Sequence, residues 1–336
     1  MSAHARSASW FGVLLALAAA VSIAALIFGA KPMTISQALN ALLSPRGGTD
    51  AIIVWTLRMP RSIAAYLAGA ALAVAGYLLQ SITRNPLAAP DLTGVTAGSV
   101  TFIVASFVFF PTVSSALYPV IGMTGGLAAA LLTLWAVRGG QAPPLHLALG
   151  GITVALFLNA ITTYVLVRGG PQSPSLLFWL SGGFQGRSWS QVAYMLPWTI
   201  LGIGLALLCH RAISLLSLGD DAAAGMGANP GLWKLLLLMA AICLVAGVTP
   251  VSGPVAFVGL AAPHLVRLLR PESARWSILL NIALGGCLLL AADALARSVA
   301  APREIPVSIF TALIGGPLFI YLTQRGAGAG TGGRNR

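Results

Sequence analysis

The sequence predicts an all-α polytopic membrane protein with about ten transmembrane helices. Hydrophobic residues make up 57% of its 336 residues and charged residues only 8%, and its mean hydropathy is +0.89. This composition lies far outside that of a soluble protein. Apolar windows of about 17 to 25 residues, the length that crosses a bilayer core, recur along the chain. Helices are expected because these windows lack the two-residue alternation of barrel strands, and because lipid offers no partner to free backbone groups.

The apolar windows predict the spans in order along the chain. They centre on residues 10–30, 59–80, 94–112, 117–137, 145–167, 192–212, 232–250, 252–269, 276–298 and 306–323. The first is a retained helix, because its apolar run exceeds the roughly 7 to 15 residues of a signal-peptide core. The second carries Ala65, Gly69 and Ala73 at four-residue spacing, which predicts close helix packing. The eighth contains Gly253 and Pro254, so a broken helix is expected there.

The same pattern predicts one domain and a tail. We expect a single transmembrane domain over residues 1–325, because the longest polar connection is too short for a core of its own. Residues 326–336 are Gly-rich and predict a disordered cytoplasmic tail. With both termini in the cytoplasm, eleven of the nineteen basic residues fall inside and eight outside, the sign that the positive-inside rule requires. The net charge of +12 is therefore assigned to loops and span ends, not to nucleic-acid binding.

Several enzyme classes are excluded by missing motifs. Neither lysine, Lys31 or Lys234, follows a glycine, so a GxxxxGK[ST] phosphate loop is impossible. HExxH and GxSxG are also absent. Cys209, Cys243 and Cys287 lie in or beside apolar spans with no second ligand near them in sequence, which favours packing over metal binding. No cofactor or metal site is assigned to this chain, and the lone His264 is interpreted as a structural or interface histidine.

The loop LLSLGDDAAAGMGANP, about residues 215–231, separates the sixth and seventh spans on the predicted inner side. A short helix over Ala222–Met226 is expected, capped by Asp220 or Asp221 and ended near Gly227. Carboxylates suit a helix N-terminus because they face exposed amides and the positive end of the dipole. From the residues alone, a capped surface turn and a docking segment are both consistent with this loop.

Three arginines flank span ends on the predicted outer side. Arg58 and Arg61, in LRMPR, begin the second span, and Arg297, in DALAR, ends the ninth. Arginine pairs bidentately with carboxylates, so a positive outer rim would seat an acidic partner. The alternative is that these side chains anchor helix ends at the membrane interface. Asp293, the one acid well inside a span, precedes Arg297 by one helical turn, a spacing that permits pairing.

The segment RNPLAAPD follows the second span. Pro86 and Pro90 forbid a continuous helix, which leaves Asn85 and Leu87 in a constrained turn at the predicted inner end. Asn and Pro are ordinary turn residues, so a purely structural turn is one interpretation.

Three stretches together resemble one family. LRMPRSIAAYLAGAALAVAGYLLQSITRNPLAAPDLTGV (57–95), LLSLGDDAAAGMGANP (215–230) and the pair GPVAFVGLAAPHLVRLL (253–269) with EIPVSIFTALIGGPLFIYL (304–322) are similar, in order and separation, to the permease subunits of ABC importers for iron–siderophore complexes, haem and vitamin B12, the FecCD/BtuC-like family. The resemblance implies a type II ABC importer permease-like subunit that pairs with a second copy or a paralogue in the bacterial inner membrane.

Partners follow from the same resemblance. A cytoplasmic ABC ATPase dimer, which uses ATP and Mg, would dock beneath the permease, and a periplasmic substrate-binding protein would dock above it. The chain itself would be a transport subunit and not an enzyme. The resemblance also implies a coupling role for one set of loop residues, which comprises Gly219, Asp220, Asp221, Ala223 and Gly227.

Two further sets of residues take roles by resemblance. Arg58, Arg61 and Arg297 would receive acidic residues of the binding protein, and Asn85 with Leu87 would form a cytoplasmic gate. Asp91 in NPLAAPDLTG favours an iron(III)–siderophore chelate as substrate, with vitamin B12 or haem as alternatives within the family. Outside the family, the alternatives are an ion-coupled secondary transporter with broken helices and a membrane scaffold without transport activity.

Overall fold

The computed structural model describes residues 2–29, 31–45, 48–137, 144–169, 173–301 and 303–317. Within these ranges the regular structure is helical, which confirms the all-α prediction. The α-helices are α1 (Ala3–Ile27), α2 (Ile35–Leu43), α3 (Thr49–Ile52), α4 (Met59–Thr83), α5 (Val95–Phe109), α6 (Tyr118–Ala136), α7 (Pro144–Arg168), α8 (Ser173–Leu180), α9 (Trp189–Leu208), α10 (His210–Ser217), α11 (Asp220–Gly225), α12 (Pro230–Ser252), α13 (Val258–Leu268), α14 (Ala274–Ala296) and α15 (Val307–Pro317). The predicted tail, 326–336, and residues 318–323 of the tenth predicted span lie outside the described ranges.

Helix length supports fewer spans than the sequence predicts. Among the described residues, seven helical stretches are long and apolar enough to cross a membrane: Ala3–Ile27, Thr49–Thr83, Ser115–Ala136, Leu149–Arg168, Trp189–Leu208, Pro230–Ser252 and Ala274–Ala296. The windows predicted at 94–112, 252–269 and 306–323 contain α5, α13 and α15, which are apolar but shorter. The predicted count of about ten spans is therefore not confirmed, although all ten apolar windows contain helix.

Helix α4 lies at the centre of the bundle and packs against α14, α12, α13 and α9. A Cβ atom on Gly69 would lie 2.2 Å from the carbonyl oxygen of Gly285 in α14, and one on Gly76 would lie 1.8 Å from that of Gly259 in α13. Both distances are far below van der Waals contact, so only glycine allows these backbones to approach. The close packing predicted from the small residues of the second span is confirmed.

Two short helices begin inside the bundle. After α4 ends, the chain turns back until Pro90 lies beside Gly259, which itself packs on Leu72 in the middle of α4. Helix α5 starts just after this turn, and α13 starts at Val258, after a break at Gly253 with φ +65°. Both helices thus begin at mid-depth, and both are shorter than the helices that cross the bundle. The predicted broken helix is confirmed, and the residues of the break, 253–257, are buried or partly buried.

The chain direction defines two ends of the bundle. The Arg61 end is where α4 begins and where α12 and α14 end. The Asp220 end is where α4 ends and where α12 begins, and it also carries α10 and α11. Ionic clusters lie at both ends.

Candidate functional sites at the two ends of the bundle

Arg61 holds three segments together at the Arg61 end. Its guanidinium donates to Asp293 of α14 at 2.8 and 2.9 Å, and its Nη1 donates to both carboxylate oxygens of Glu304 at 2.9 Å. Arg61 is 8% exposed and Asp293 is fully buried. The sequence indicates no such contact, because these partners are 232 and 243 residues away. The result is a buried link between α4, α14 and the segment that leads to α15.

Arg297 joins this cluster weakly. Its Nε is 3.8 Å from Asp293 Oδ2, which is too long for a hydrogen bond. That nitrogen is buried and has no hydrogen-bond partner among the described residues. Its Nη2 donates to Ser62 Oγ at 3.3 Å. The one-turn spacing therefore brings Arg297 into an ion pair with Asp293, as the sequence predicts, while the hydrogen bonds to that carboxylate come from Arg61.

Arg58 binds the end of the first helix. Its guanidinium donates to the carbonyl oxygen of Ile27 at 3.2 Å and also to those of Leu26 and Lys31. A cation is favourable there, because the last carbonyls of a helix lack intrahelical partners and carry partial negative charge. Arg58 thus fixes the connection after α1 to the helical stretch that leads into α4.

The three arginines do not form the exposed rim that the sequence predicts. Arg58, Arg61 and Arg297 are only 6–8% exposed, because carboxylates and carbonyls of the same chain surround them. Arg303 is exposed, and Glu304 beside it binds Arg61. The docking role of the three buried arginines stays a prediction, and in this arrangement their hydrogen bonds go to internal partners.

Helix α11 at the Asp220 end differs from the predicted capped helix. It begins at Asp220, two residues earlier than expected, and Gly219, with φ +116°, occupies the cap position without a side-chain hydrogen bond. Asp220 and Asp221 therefore lie in the first turn and do not cap it. The carboxylate of Asp220 binds the side chains of Arg84 and Lys234. The hydrogen bond from Lys234, together with the charge of Arg84, lowers the pKa of Asp220.

The end of α11 agrees with the prediction. Ala228 N donates to Ala223 O at 3.0 Å and Gly227 N donates to Ala224 O at 2.9 Å, while Gly227 has φ +81°. This is the left-handed glycine ending of a helix. Ala223 is fully buried, whereas Asp221, Gly227 and the intervening residues other than Ala223 are exposed. The short helix is anchored by one alanine and presents its remaining surface to the outside.

The predicted gate lies next to this helix. Asn85 Oδ1 accepts a hydrogen bond from Leu87 N at 2.9 Å, which closes the turn after α4, and Leu87 is 40% exposed. Arg84, the residue before Asn85, donates from Nε to Leu216 O at 3.2 Å and also binds Asp220. The structure thus brings the predicted gate and coupling residues together.

Sequence reasoning missed Arg84 and Lys234, the two cations that join these segments. Lys234 is one of only two lysines in the chain, and Arg84 directly precedes the predicted gate. Both facts mark these residues in the sequence. Their ion pairs with Asp220, across 136 residues for Arg84 and 14 residues for Lys234, could not be inferred from spacing.

The described residues contain no group of three or more His, Cys, Asp or Glu side chains that could hold a metal ion. His264 Nδ1 lies 3.3 Å from Arg267 Nη2, one turn later on α13. Cys209, Cys243 and Cys287 are free and buried. The burial of the three cysteines is that of packing residues, and His264 is partly buried.

Comparisons with known proteins agree on one family. Residues 15–325 match the model of the FecCD transport family. The chain is 39% identical over 300 residues to the Fe(3+)-citrate import system permease protein YfmD of Bacillus subtilis (strain 168). This alignment covers 89% of each chain. It is 36% identical to the ferric enterobactin transport system permease protein FepD of Escherichia coli (strain K12) over 94% of each chain. A relative from Halobacterium salinarum, the cobalamin import system permease protein BtuC, is 35% identical over 82% of this chain and 74% of its own length.

A solved structure supports the fold. The solved structure of a metal-chelate type ABC transporter in an inward-facing conformation superposes on this chain with a TM-score of 0.80 at 27% sequence identity. The match covers 95% of this chain and 99% of the other chain.

Proposed function

Since the chain belongs to the FecCD transport family, we propose that it carries an iron(III)–siderophore-type chelate across the bacterial inner membrane as the permease subunit of an ABC importer. A separate ATPase dimer would supply the energy with ATP and Mg, and a periplasmic binding protein would deliver the chelate. A second copy or a paralogue would complete the path. The Asp220 end then faces the cytoplasm, as do both termini, and the Arg61 end faces the periplasm.

One observation carries the coupling part of this proposal. Helix α11 is a short exposed helix whose single ionic anchor, Asp220, binds both Arg84 after α4 and Lys234 in α12. A partner that binds the exposed face of α11 and moves it would therefore also move α4 and α12. Arg84 is also adjacent to the turn at Asn85, so the same movement reaches the proposed gate. The exposed residues Asp221 and Gly227 would belong to the docking surface.

The substrate class rests on the relatives. Their names describe permeases for ferric citrate, ferric enterobactin and iron(3+)-hydroxamate, as well as cobalamin. Three of these four cargoes are ferric chelates. We therefore place a ferric chelate ahead of cobalamin or haem.

An ion-coupled secondary transporter is the second candidate, because α5 and α13 begin at mid-depth, as half-helices do at the ion sites of such carriers. Cellular uptake separates the two. A strain without this chain is complemented with it, and uptake of ferric citrate, a ferric catecholate, a ferric hydroxamate, haem and cobalamin is measured with an active and a hydrolysis-deficient partner ATPase.

We expect uptake of at least one ferric chelate that requires ATP hydrolysis. Uptake that persists with the inactive ATPase but collapses with the ion gradient would favour the secondary carrier. Uptake of cobalamin or haem alone would leave the ABC permease assignment in place and refute the ferric chelate. No uptake defect on deletion would favour the scaffold.

A further inference from the structure

A cavity of about 420 Å³ lies at the Arg61 end, between the end of α5, the start of α6, helix α8, the start of α9 and the end of α12. Aromatic side chains form much of its wall, among them Tyr118 and Trp179. Its polar lining includes Arg187, Gln185 and Gln191. The size falls within the range of small-molecule sites, and an apolar wall with a few polar groups is their usual composition.

Arg187 is the cation of this cavity, and it has no carboxylate partner. All seven acidic residues of the chain fall in the described ranges, and no ion pair joins any of them to Arg187 among those residues. Its Nε is buried and has no hydrogen-bond partner within the part of the chain that the structure describes. Burial, and secondarily the like charge of Arg61, lowers the pKa of Arg187. Arg187 is partly buried, and a cation that is shielded from water without a partner is costly, a cost that a bound anion would reduce.

The loop that carries Arg187 is held in place. Gly183 N donates to Ser252 O at 2.8 Å, and Val307 N donates to Gly182 O at 3.0 Å. Phe184 is fully buried. These contacts tie the loop to α12 and α15 just before Arg187. The guanidinium is therefore presented by a fixed backbone, which reduces the ordering cost of binding.

Two neighbouring side chains are fixed as well. Gln191 Oε1 accepts from Ser188 N at 2.9 Å, and this sets the orientation of its amide while its NH₂ group forms no hydrogen bond among the described residues. Trp179 Nε1 donates to Pro250 O at 3.1 Å, so the indole is locked into the wall. The cavity thus combines an unpaired cation, a free amide donor and a rigid aromatic surface.

We propose that this cavity binds the carboxylate-bearing, anionic part of a ferric chelate, with Arg187 as the recognising residue and Gln185 and Gln191 as further donors. This assignment rests on the proposed function and narrows its substrate to an anionic chelate. Arginine suits the task because its fork donates two parallel hydrogen bonds to one carboxylate. The aromatic wall would contact the apolar flank of the ligand.

The test measures binding of ferric dicitrate, an anionic carboxylate chelate, and of a neutral ferric trihydroxamate to the purified full-length chain in lipid nanodiscs. Calorimetry supplies the dissociation constants. Arg187→Gln should weaken ferric dicitrate binding about tenfold or more, because a charge-assisted hydrogen bond contributes about 1.5–3 kcal/mol. Trihydroxamate binding should change less than about twofold, because a neutral chelate offers no carboxylate for a charge-assisted hydrogen bond with Arg187. Arg303→Gln is the matched control, since Arg303 is exposed and does not line the cavity.

Gln191→Glu provides a second variant if Arg187→Gln does not fold. Glutamate can replace glutamine in the capping arrangement with Ser188, and it adds a negative charge to the cavity. It should also weaken ferric dicitrate binding and spare trihydroxamate. Wild-type affinity for ferric dicitrate in Arg187→Gln or in Gln191→Glu, or an equal loss for both chelates, would overturn the assignment.

The proposed function can fail separately. If the wild-type chain imports the neutral chelate in cells and Arg187→Gln binds ferric dicitrate normally, the cavity assignment is refuted and the permease function stands. If the wild-type chain imports no ferric chelate with its ATPase and binding protein present, both are refuted.

Discussion

Both ends of α4 carry an arginine that binds an aspartate of a distant segment, yet water reaches the two pairs very differently. At the Arg61 end, the arginine and aspartate side chains are 10% and 0% exposed. At the Asp220 end, the side chains of Arg84 and Asp220 are 41% and 45% exposed. A buried pair must retain every partner, because a lone buried charge is expensive. An exposed pair is screened by water and contributes little stability.

The difference assigns different work to the two ends. The buried cluster fixes the start of α4 against α14, and its rearrangement would expose buried charges to water or leave them without partners. The exposed pair can break and reform at small cost, which is what a movable linkage requires. We therefore expect motion at the Asp220 end and a fixed point at the Arg61 end.

Asp293→Asn gives the largest expected effect on this contrast. The change removes the charge that Arg61 and Arg297 share in a fully buried position, so we expect a loss of about 3–5 kcal/mol of stability. Thermal unfolding of the detergent-purified chain measures it. Asp50→Asn is the control, because Asp50 pairs with Lys31 at a side-chain exposure of 30% and 56%. Equal melting of the two variants would remove the claimed difference between buried and exposed pairs.

Asp220→Asn should separate stability from coupling. We expect a stability change below about 1 kcal/mol, because the pair is exposed. Under the proposed function, we also expect a severalfold fall in substrate-stimulated ATPase activity of the assembled importer, because α11 loses its link to α4 and α12. Asp50→Asn serves again as the control with an exposed pair away from α11. Full stimulation in Asp220→Asn would exclude the linkage.

The sequence predicted what depends on short-range pattern and missed what depends on distant pairing. The apolar windows, the break at Gly253 and the helix end at Gly227 follow from local backbone and hydropathy rules, and the structure agrees with them. Spacing permits the ion pair of Asp293 with Arg297 one turn away, and the structure contains it at 3.8 Å, but the hydrogen bonds to Asp293 come from Arg61, 232 residues away in the sequence. The predicted cap at Asp220 or Asp221 was wrong, because α11 begins at Asp220 with Gly219 in the cap position, and the Asp220 carboxylate binds Arg84 after α4 and Lys234 of α12.

The number of spans could not be predicted from hydropathy because an apolar window does not say where its helix begins. Helices α5 and α13 start at mid-depth after the turn at Pro90 and the break at Gly253. An apolar helix that begins inside the protein and one that crosses the bilayer have similar compositions, so only the tertiary structure distinguishes the two.

Gly227→Ala tests how firmly the end of α11 is set. Gly227 has φ +81°, and an added Cβ would meet no atom within 4 Å. Any loss therefore reports backbone strain alone, which we expect to be about 1 kcal/mol. Gly225→Ala is the matched control, because Gly225 also faces open space but has a helical backbone, where alanine is favoured. Denaturant unfolding compares them, and equal stabilities would show that the left-handed ending is not required.

The smallest expected effect is the pH dependence of the Asp220 pair. The hydrogen bond from Lys234 and the charge of Arg84 lower the pKa of Asp220 below its usual 3.8. The carboxylate's contribution is thus fully present above pH 3.8 and is lost as the pH falls through the lower pKa of the folded protein. The melting difference between wild type and Asp220→Asn should stay constant from neutral pH and shrink only below that value. A difference that already shrinks near neutral pH would mean that Asp220 is not held by the two cations.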